Sequence, residues 1–269
     1  MRAILMLLLL CCAVQAASYK VSVYQPSSAT YQFSETYRTQ LLSSSNFGTS
    51  GVVNDVTFTS VERVTSITAE MLNNTDIFVL SFVWGSGWSM TSSEALLVKN
   101  FVEQRGGSLI LGSDCNNTYA NLLAQYYNVE FYNGWASTGS TFSMTNRSVA
   151  PEITNGPFGT VNSISWSSNA TSRIINAGSS TIIDSFGMIS VLAPTSTSGS
   201  IIFYSDGELS LGSQPGTGDY EKLKLNLFAY SAHSVRTNAM PAVPEPSTFL
   251  LFSFFLCAIG ISRFIKLAF

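Results

Sequence analysis

Apolar and polar positions follow two different periods along this chain, and the changes from one to the other predict its elements. Lys20-Val-Ser-Val-Tyr-Gln25 alternates with period two and reads as a short strand, as does Asp55 to Val61. Ser34 to Leu42, between them, has helical spacing. Thr68 to Leu72 is a short helical turn ahead of Asp76-Ile-Phe-Val-Leu-Ser-Phe82. That run is apolar on both faces, which marks a strand buried in the middle of a sheet. Thr91-Ser-Ser-Glu94 has the capping-box pattern and opens a helix that carries Leu96, Leu97, Asn100 and Phe101 and ends at Gly106-Gly107. Ser108-Leu-Ile-Leu-Gly112 is the next strand and Thr118 to Tyr127 the next helix. Strand and helix in alternation imply parallel pairing through right-handed crossovers.

The second half is less regular. Thr141 to Met144, Ile164 to Trp166, Thr181 to Asp184 and Met188 to Leu192 are short strands, expected as an antiparallel edge or extension. Gly199 to Tyr204 returns to a core strand, and Asp219 to Ala232 is a closing helix with Leu223, Leu227, Phe228 and Ala232 on one face. The expectation is one α/β domain over residues 18–234, three-layered, with a doubly wound, mostly parallel sheet and some antiparallel extension. Residues 235–246 are its linker.

The two ends carry other signals. Arg2 and the apolar run Ile4 to Val14, followed by Ala16 and Ala17, read as a secretory signal peptide over residues 1–16, cut after Ala16. The run is short for a membrane span, and Ser18-Tyr19-Lys20 follows at once. A lipoprotein reading at Cys11 or Cys12 is disfavoured by the large Leu10 before them. At the other end Val243-Pro-Glu-Pro-Ser-Thr248 precedes an apolar stretch, Phe249 to Ile261, then Arg263 and Lys266. Fourteen helical residues from Phe249 to Ser262 span only about 21 Å, so Arg263 and Lys266 must snorkel in a single transmembrane helix over 249–266. Those cations favour the cytoplasmic side and put the domain outside.

This tail resembles the PEP-CTERM sorting signal of bacterial exported proteins, through residues 243–269. The resemblance implies Val243, Pro244, Glu245, Pro246 and Ser247 as the sorting motif and Arg263 and Lys266 as the membrane-retention element. It also implies an exosortase as partner, which cuts near the motif and passes an inner-membrane precursor to the cell surface or its exopolysaccharide. The family usually ends in an arginine cluster, whereas here apolar residues separate Arg263 from Lys266. A plain C-terminal anchor or a lipid-anchor signal is the alternative.

The stretch Asp76 to Leu123, with its "FVEQRGGSLILGSD" segment, resembles the class I glutamine-amidotransferase-like, flavodoxin-like group. Ala150 to Gly156, Gly199 to Asp206 and the closing helix fit the same group. Catalytic members use a cysteine nucleophile on a sharp turn with a histidine base. Here that turn reads Gly112-Ser-Asp-Cys115-Asn116, without the Gly-x-Cys-x-Gly spacing, and His233 is the sole histidine. Asp114 would moreover hold the Cys115 proton on.

Composition narrows the partners. The chain is 46% hydrophobic and 11% charged, with 13 basic and 16 acidic residues, which speaks against disorder and against nucleic acid. Arg2, Arg263 and Lys266 lie in the two ends, so the region between is more acidic still. Cys11, Cys12 and Cys257 lie there too, leaving Cys115 without a disulfide partner. The Asn73, Asn116, Asn146 and Asn169 sequons would matter only in a eukaryote. One histidine and one cysteine make a zinc site implausible, and no metal or cofactor is expected. Asp114, Asp206 and Glu208 either make an oxygen-ligand site for calcium or magnesium or are solvated acids at loop starts. Ligands of open parallel sheets sit beyond the strand carboxyl ends, here Gln25, Trp84, Trp88, Asp114, Cys115, Asn116, Asp206 and Glu208. Trp84 and Trp88 on a glycine loop either stack sugars or cover the sheet end. Two functions follow: a non-catalytic surface or matrix protein that uses the domain for binding or structure, or an exported glycan or ester hydrolase using carboxylates at this edge.

Overall fold

The computed structural model describes residues 16–26, 32–82, 87–138, 141–165, 170–206 and 217–236. The expected signal peptide before Ala16, the expected linker from 237 onward and the whole 243–269 segment lie outside them. Among the described residues, no helix is long and apolar enough to cross a membrane.

Seven strands build the main sheet: β1 (Ala17–Tyr24), β2 (Val56–Val64), β3 (Ile77–Ser81), β4 (Ser108–Gly112), β5 (Thr181–Ile182), β6 (Ile189–Leu192) and β7 (Ile201–Tyr204). Their spatial order is β5-β6-β7-β4-β3-β1-β2. The five strands from β7 to β2 are parallel, and β6 and β5 continue the β7 edge antiparallel. Every residue of β3 and β4 is buried, as expected of strands covered on both faces.

Six α-helices accompany them among the described residues: α1 (Glu35–Leu42), α2 (Ala69–Asn73), α3 (Ser92–Glu103), α4 (Thr118–Ala124), α5 (Pro151–Thr154) and α6 (Tyr220–Ser234). Side-chain alternation fixes their layers. The register aligns Ile77 with Ser108 and Phe78 with Leu109. The Phe78 ring meets Phe101 of α3, whereas the Ser108 hydroxyl donates to the Ser231 carbonyl of α6 at 2.8 Å. Neighbouring strand residues point to opposite faces, so α3 and α6 cover opposite sides of the sheet. On the α6 side lies α1: the Tyr37 ring packs edge-on to Phe228, and its hydroxyl donates to the Lys224 carbonyl at 2.9 Å.

Local signals explain the helix ends. Thr91 accepts from the Glu94 N–H at 3.2 Å, and the Glu94 carboxylate accepts from the Thr91 N–H at 2.7 Å, so the capping box is made. Gly106 lies at φ +77°, and a Cβ there would stand 1.8 Å from the Arg236 carbonyl oxygen. That carboxyl-side stop of α3 is a close approach of two backbone segments, which only glycine admits.

The irregular half differs from expectation. Only β5 and β6 extend the main sheet. Thr141–Ser143 and Ser163–Ser165 pair with each other, and Thr217–Gly218 joins them in a separate three-stranded sheet. Each of the first two strands buries a single central side chain, Phe142 or Ile164, so its pattern identifies a strand without identifying its sheet.

Two buried polar side chains hold this half in place. Asn226 on α6 donates through Nδ2 to the carbonyls of Ile153 and Gly159, both at 3.1 Å, and accepts from the Phe158 N–H at 3.1 Å. Asp184, 3% exposed, accepts from four backbone N–H groups. Phe186, Gly187 and Met188 reach Oδ1 at 2.8, 2.9 and 3.1 Å, and Ile189 reaches Oδ2 at 2.6 Å. Burial raises the Asp184 carboxyl above its ordinary value, and the four donors pull against that rise.

Candidate functional site

Because β1, β3, β4 and β7 are parallel, their carboxyl ends share one edge, and the strand order reverses there between β1 and β3. The ladder runs past the strand ends: Ser113 N–H donates to the Tyr204 carbonyl at 2.7 Å and Phe82 N–H to the Gly112 carbonyl at 3.0 Å. Gly112 is in register with Tyr204, so Ser113-Asp114 and Ser205-Asp206 leave adjacent strands side by side. Asp114 is 8% exposed and Asp206 4%, so neither is the solvated loop acid that the sequence allowed. The Ser113 and Ser205 hydroxyls are buried without a hydrogen-bond partner among the described residues. Trp84 and Glu208 lie outside the described residues. Among those described, no three His, Cys, Asp or Glu side chains are placed to hold a metal ion.

Trp88 is 5% exposed and packs edge-on to Tyr24, with ring centroids 5.9 Å apart. Tyr24 in turn donates to the Ser89 carbonyl at 3.1 Å. The Trp88 ring thus serves the packing of the sheet end, and its faces are not open to stack a sugar. Gln25 is also committed internally, its side-chain oxygen accepting from the Phe33 N–H at 2.9 Å ahead of α1.

The loop after β4 is organised by Asn117, a residue that the sequence did not single out. Its Oδ1 accepts from the Asp114 N–H at 3.0 Å. Its Nδ2 donates to the Tyr132 carbonyl at 2.5 Å and to the Ser172 hydroxyl at 3.0 Å. Asn116, by contrast, is exposed, and its side-chain oxygen accepts from the Thr118 hydroxyl at 3.1 Å. Nothing in the sequence distinguishes the two neighbouring asparagines, since both stand in the same polar loop.

Cys115 is partly buried, and burial, reinforced by Asp114, pushes its thiol up. Such a thiol stays protonated near neutral pH. His233 stands elsewhere. Its Nδ1 contacts both Glu152 carboxylate oxygens at 3.1 Å, and its Nε2 lies 3.3 Å from Asp55 Oδ1. Asp55 immediately precedes β2 and so marks the amino edge of the sheet, whereas Cys115 follows β4 at the carboxyl edge. A five-residue strand alone separates these edges by about 16 Å, so the structure does not assemble a Cys–His pair.

At the amino edge His233 has a different consequence. The hydrogen bond to Glu152 chiefly raises its pKa, against the lowering effect of burial. The folded state therefore favours the imidazolium, and the stability it contributes is fully present below about pH 6.5, the unfolded value. It is lost as pH rises through the higher folded value. Urea unfolding followed from pH 6 upward is expected to show that loss, under about 1 kcal/mol for partly exposed pairs, and His233→Gln is expected to flatten it. An unchanged slope in the variant would assign the pH dependence to another group.

No family model and no curated protein matches the chain. Among solved structures, one titled "mmIFT52 N-terminal domain" superposes with a TM-score of 0.51 and 11% identity, covering 79% of this chain and 97% of that one. At that identity the likeness is one of fold.

Proposed function

We propose that this is an exported protein whose 243–269 segment is sorted by an exosortase to the cell surface or its exopolysaccharide, and whose α/β domain works by binding rather than catalysis. The observation that carries this reading is the order Val243-Pro244-Glu245-Pro246-Ser247, apolar stretch, Arg263 and Lys266 in the sequence. In this reading 249–266 crosses the membrane before processing, with its cations inside. The binding role is supported by the opposite-edge placement of Cys115 and His233, which leaves an amidotransferase-type nucleophile without a base.

The rival reading, a glycan or ester hydrolase, is favoured by Asp114 and Asp206 on adjacent strand ends. Their burial weighs against it, because a working carboxylate must reach substrate. Hydrolysis of a neutral polysaccharide by the full chain, lost in Asp206→Asn, would favour the hydrolase.

Replacing Pro244, Glu245 and Pro246 together by alanine is expected to leave uncut precursor in the membrane fraction, read by intact mass and fractionation. A variant with unchanged mature mass and location would overturn the sorting assignment.

A further inference from the structure

A groove of about 420 Å³ lies between α4, the turn after it, and the strands Glu130–Phe131 and Ile174–Asn176. Thr118, Asn121, Gln125, Asn128, Glu130 and Asn176 supply its polar lining, and Leu122 and Val129 its apolar part. Four side-chain amides line this groove, and each carries both donor and acceptor groups.

Internal bonds hold three of these amides in fixed directions. Asn121 pairs both ways with the Phe131 backbone, accepting its N–H at 2.8 Å and donating to its carbonyl at 3.0 Å. Asn176 Oδ1 accepts from the Gly178 N–H at 3.0 Å, which leaves its amide N–H groups to donate. Gln125 Nε2 donates to the Leu122 carbonyl at 2.9 Å, which leaves its oxygen to accept. Glu130 adds an exposed carboxylate acceptor. Large exposed side chains adjoin these positions in the chain: Tyr119 beside Thr118, Tyr126 beside Gln125, and Ile175 beside Asn176.

We propose that this groove binds a neutral, hydroxyl-rich glycan, which deepens the binding reading above and rests on it. A sugar hydroxyl donates and accepts at once and so matches a groove in which Asn176 offers donors and Gln125 and Glu130 offer acceptors. The lining contains no cation, and Glu130 repels polyanions, so a phosphate or uronate polymer is the wrong partner. Because the amides are already oriented, little side-chain order must be imposed on binding.

The test is calorimetric titration of the full chain in detergent micelles with cellohexaose, mannohexaose and maltohexaose, and with polyguluronate as the charged comparison. Binding of at least one neutral hexaose is expected, weakened tenfold or more by Asn176→Asp and by Gln125→Ala. The aspartate keeps the acceptor that Gly178 needs, removes the donors and adds a charge opposite Glu130, so an unchanged melting curve is required to show that the fold is preserved, and the neutral Gln125→Ala serves as the uncharged comparison. Hexaose binding that both variants retain overturns the groove and leaves the wider binding reading standing. No binding of any neutral hexaose, or preferential binding of polyguluronate, overturns the neutral-glycan proposal and leaves the wider binding reading standing, while the mass and location test of the tail decides export separately.

Discussion

Asn226→Ala is expected to destabilise the domain by about 3 kcal/mol or more, since it strands buried backbone groups that cost roughly 1–3 kcal/mol each. Three such groups depend on this one side chain: the carbonyls of Ile153 and Gly159 and the N–H of Phe158. The side chain is fully buried on α6, so water has no ready access to replace it. Gly156 shows how closely the segment approaches, because a Cβ there would lie 2.5 Å from Asn226 Oδ1. For a domain of this size the loss corresponds to a fall in Tm of roughly 6–12 °C. Calorimetry would measure it, and hydrogen exchange should show the earliest opening around Ile153 to Gly159. A shift of under about 1 kcal/mol would mean that the segment holds itself.

The second large effect is expected at Asp184. Asp184→Ala removes the acceptor of four N–H groups at once, and stranding buried donors at roughly 1–3 kcal/mol each makes the expected loss about 3–5 kcal/mol. Asp184→Asn should cost less, because it keeps one oxygen where Phe186, Gly187 and Met188 converge. Its amide nitrogen would face the Ile189 N–H, donor against donor. Chemical denaturation of the two variants therefore has an expected order, alanine below asparagine below the parent. Equal losses would show that one contact, the Ile189 bond, dominates.

Legibility followed the range of the interaction. The Thr91–Glu94 capping box is made by residues three apart, and it forms as the pattern implies. The run in β3 is apolar without alternation, so its burial on both faces was readable before any partner was known. The pairing of Thr141–Ser143 was not readable, because three residues with one inward Phe142 fit any edge. The carboxyl-edge residues were partly readable. Parallel rhythm located Asp114 and Asp206 at one edge, but their burial depends on the strands beside them. Trp88 had a plausible stacking role until Tyr24, distant in sequence, took up its ring.

By itself, then, the sequence determined the strands of the main sheet, the longer helices and their parallel rhythm, and it raised the expectation of export and sorting signals at the two ends. Those properties depend on neighbours along the chain or on side-chain solubility, both written locally. Tertiary structure alone decided that Asn117 and Asn226 are buried clamps while Asn116 is exposed, and that Cys115 and His233 stand at opposite edges. Identical side chains acquire different roles there because hydrogen-bond partners dozens of residues away determine which amide is removed from water and which keeps it.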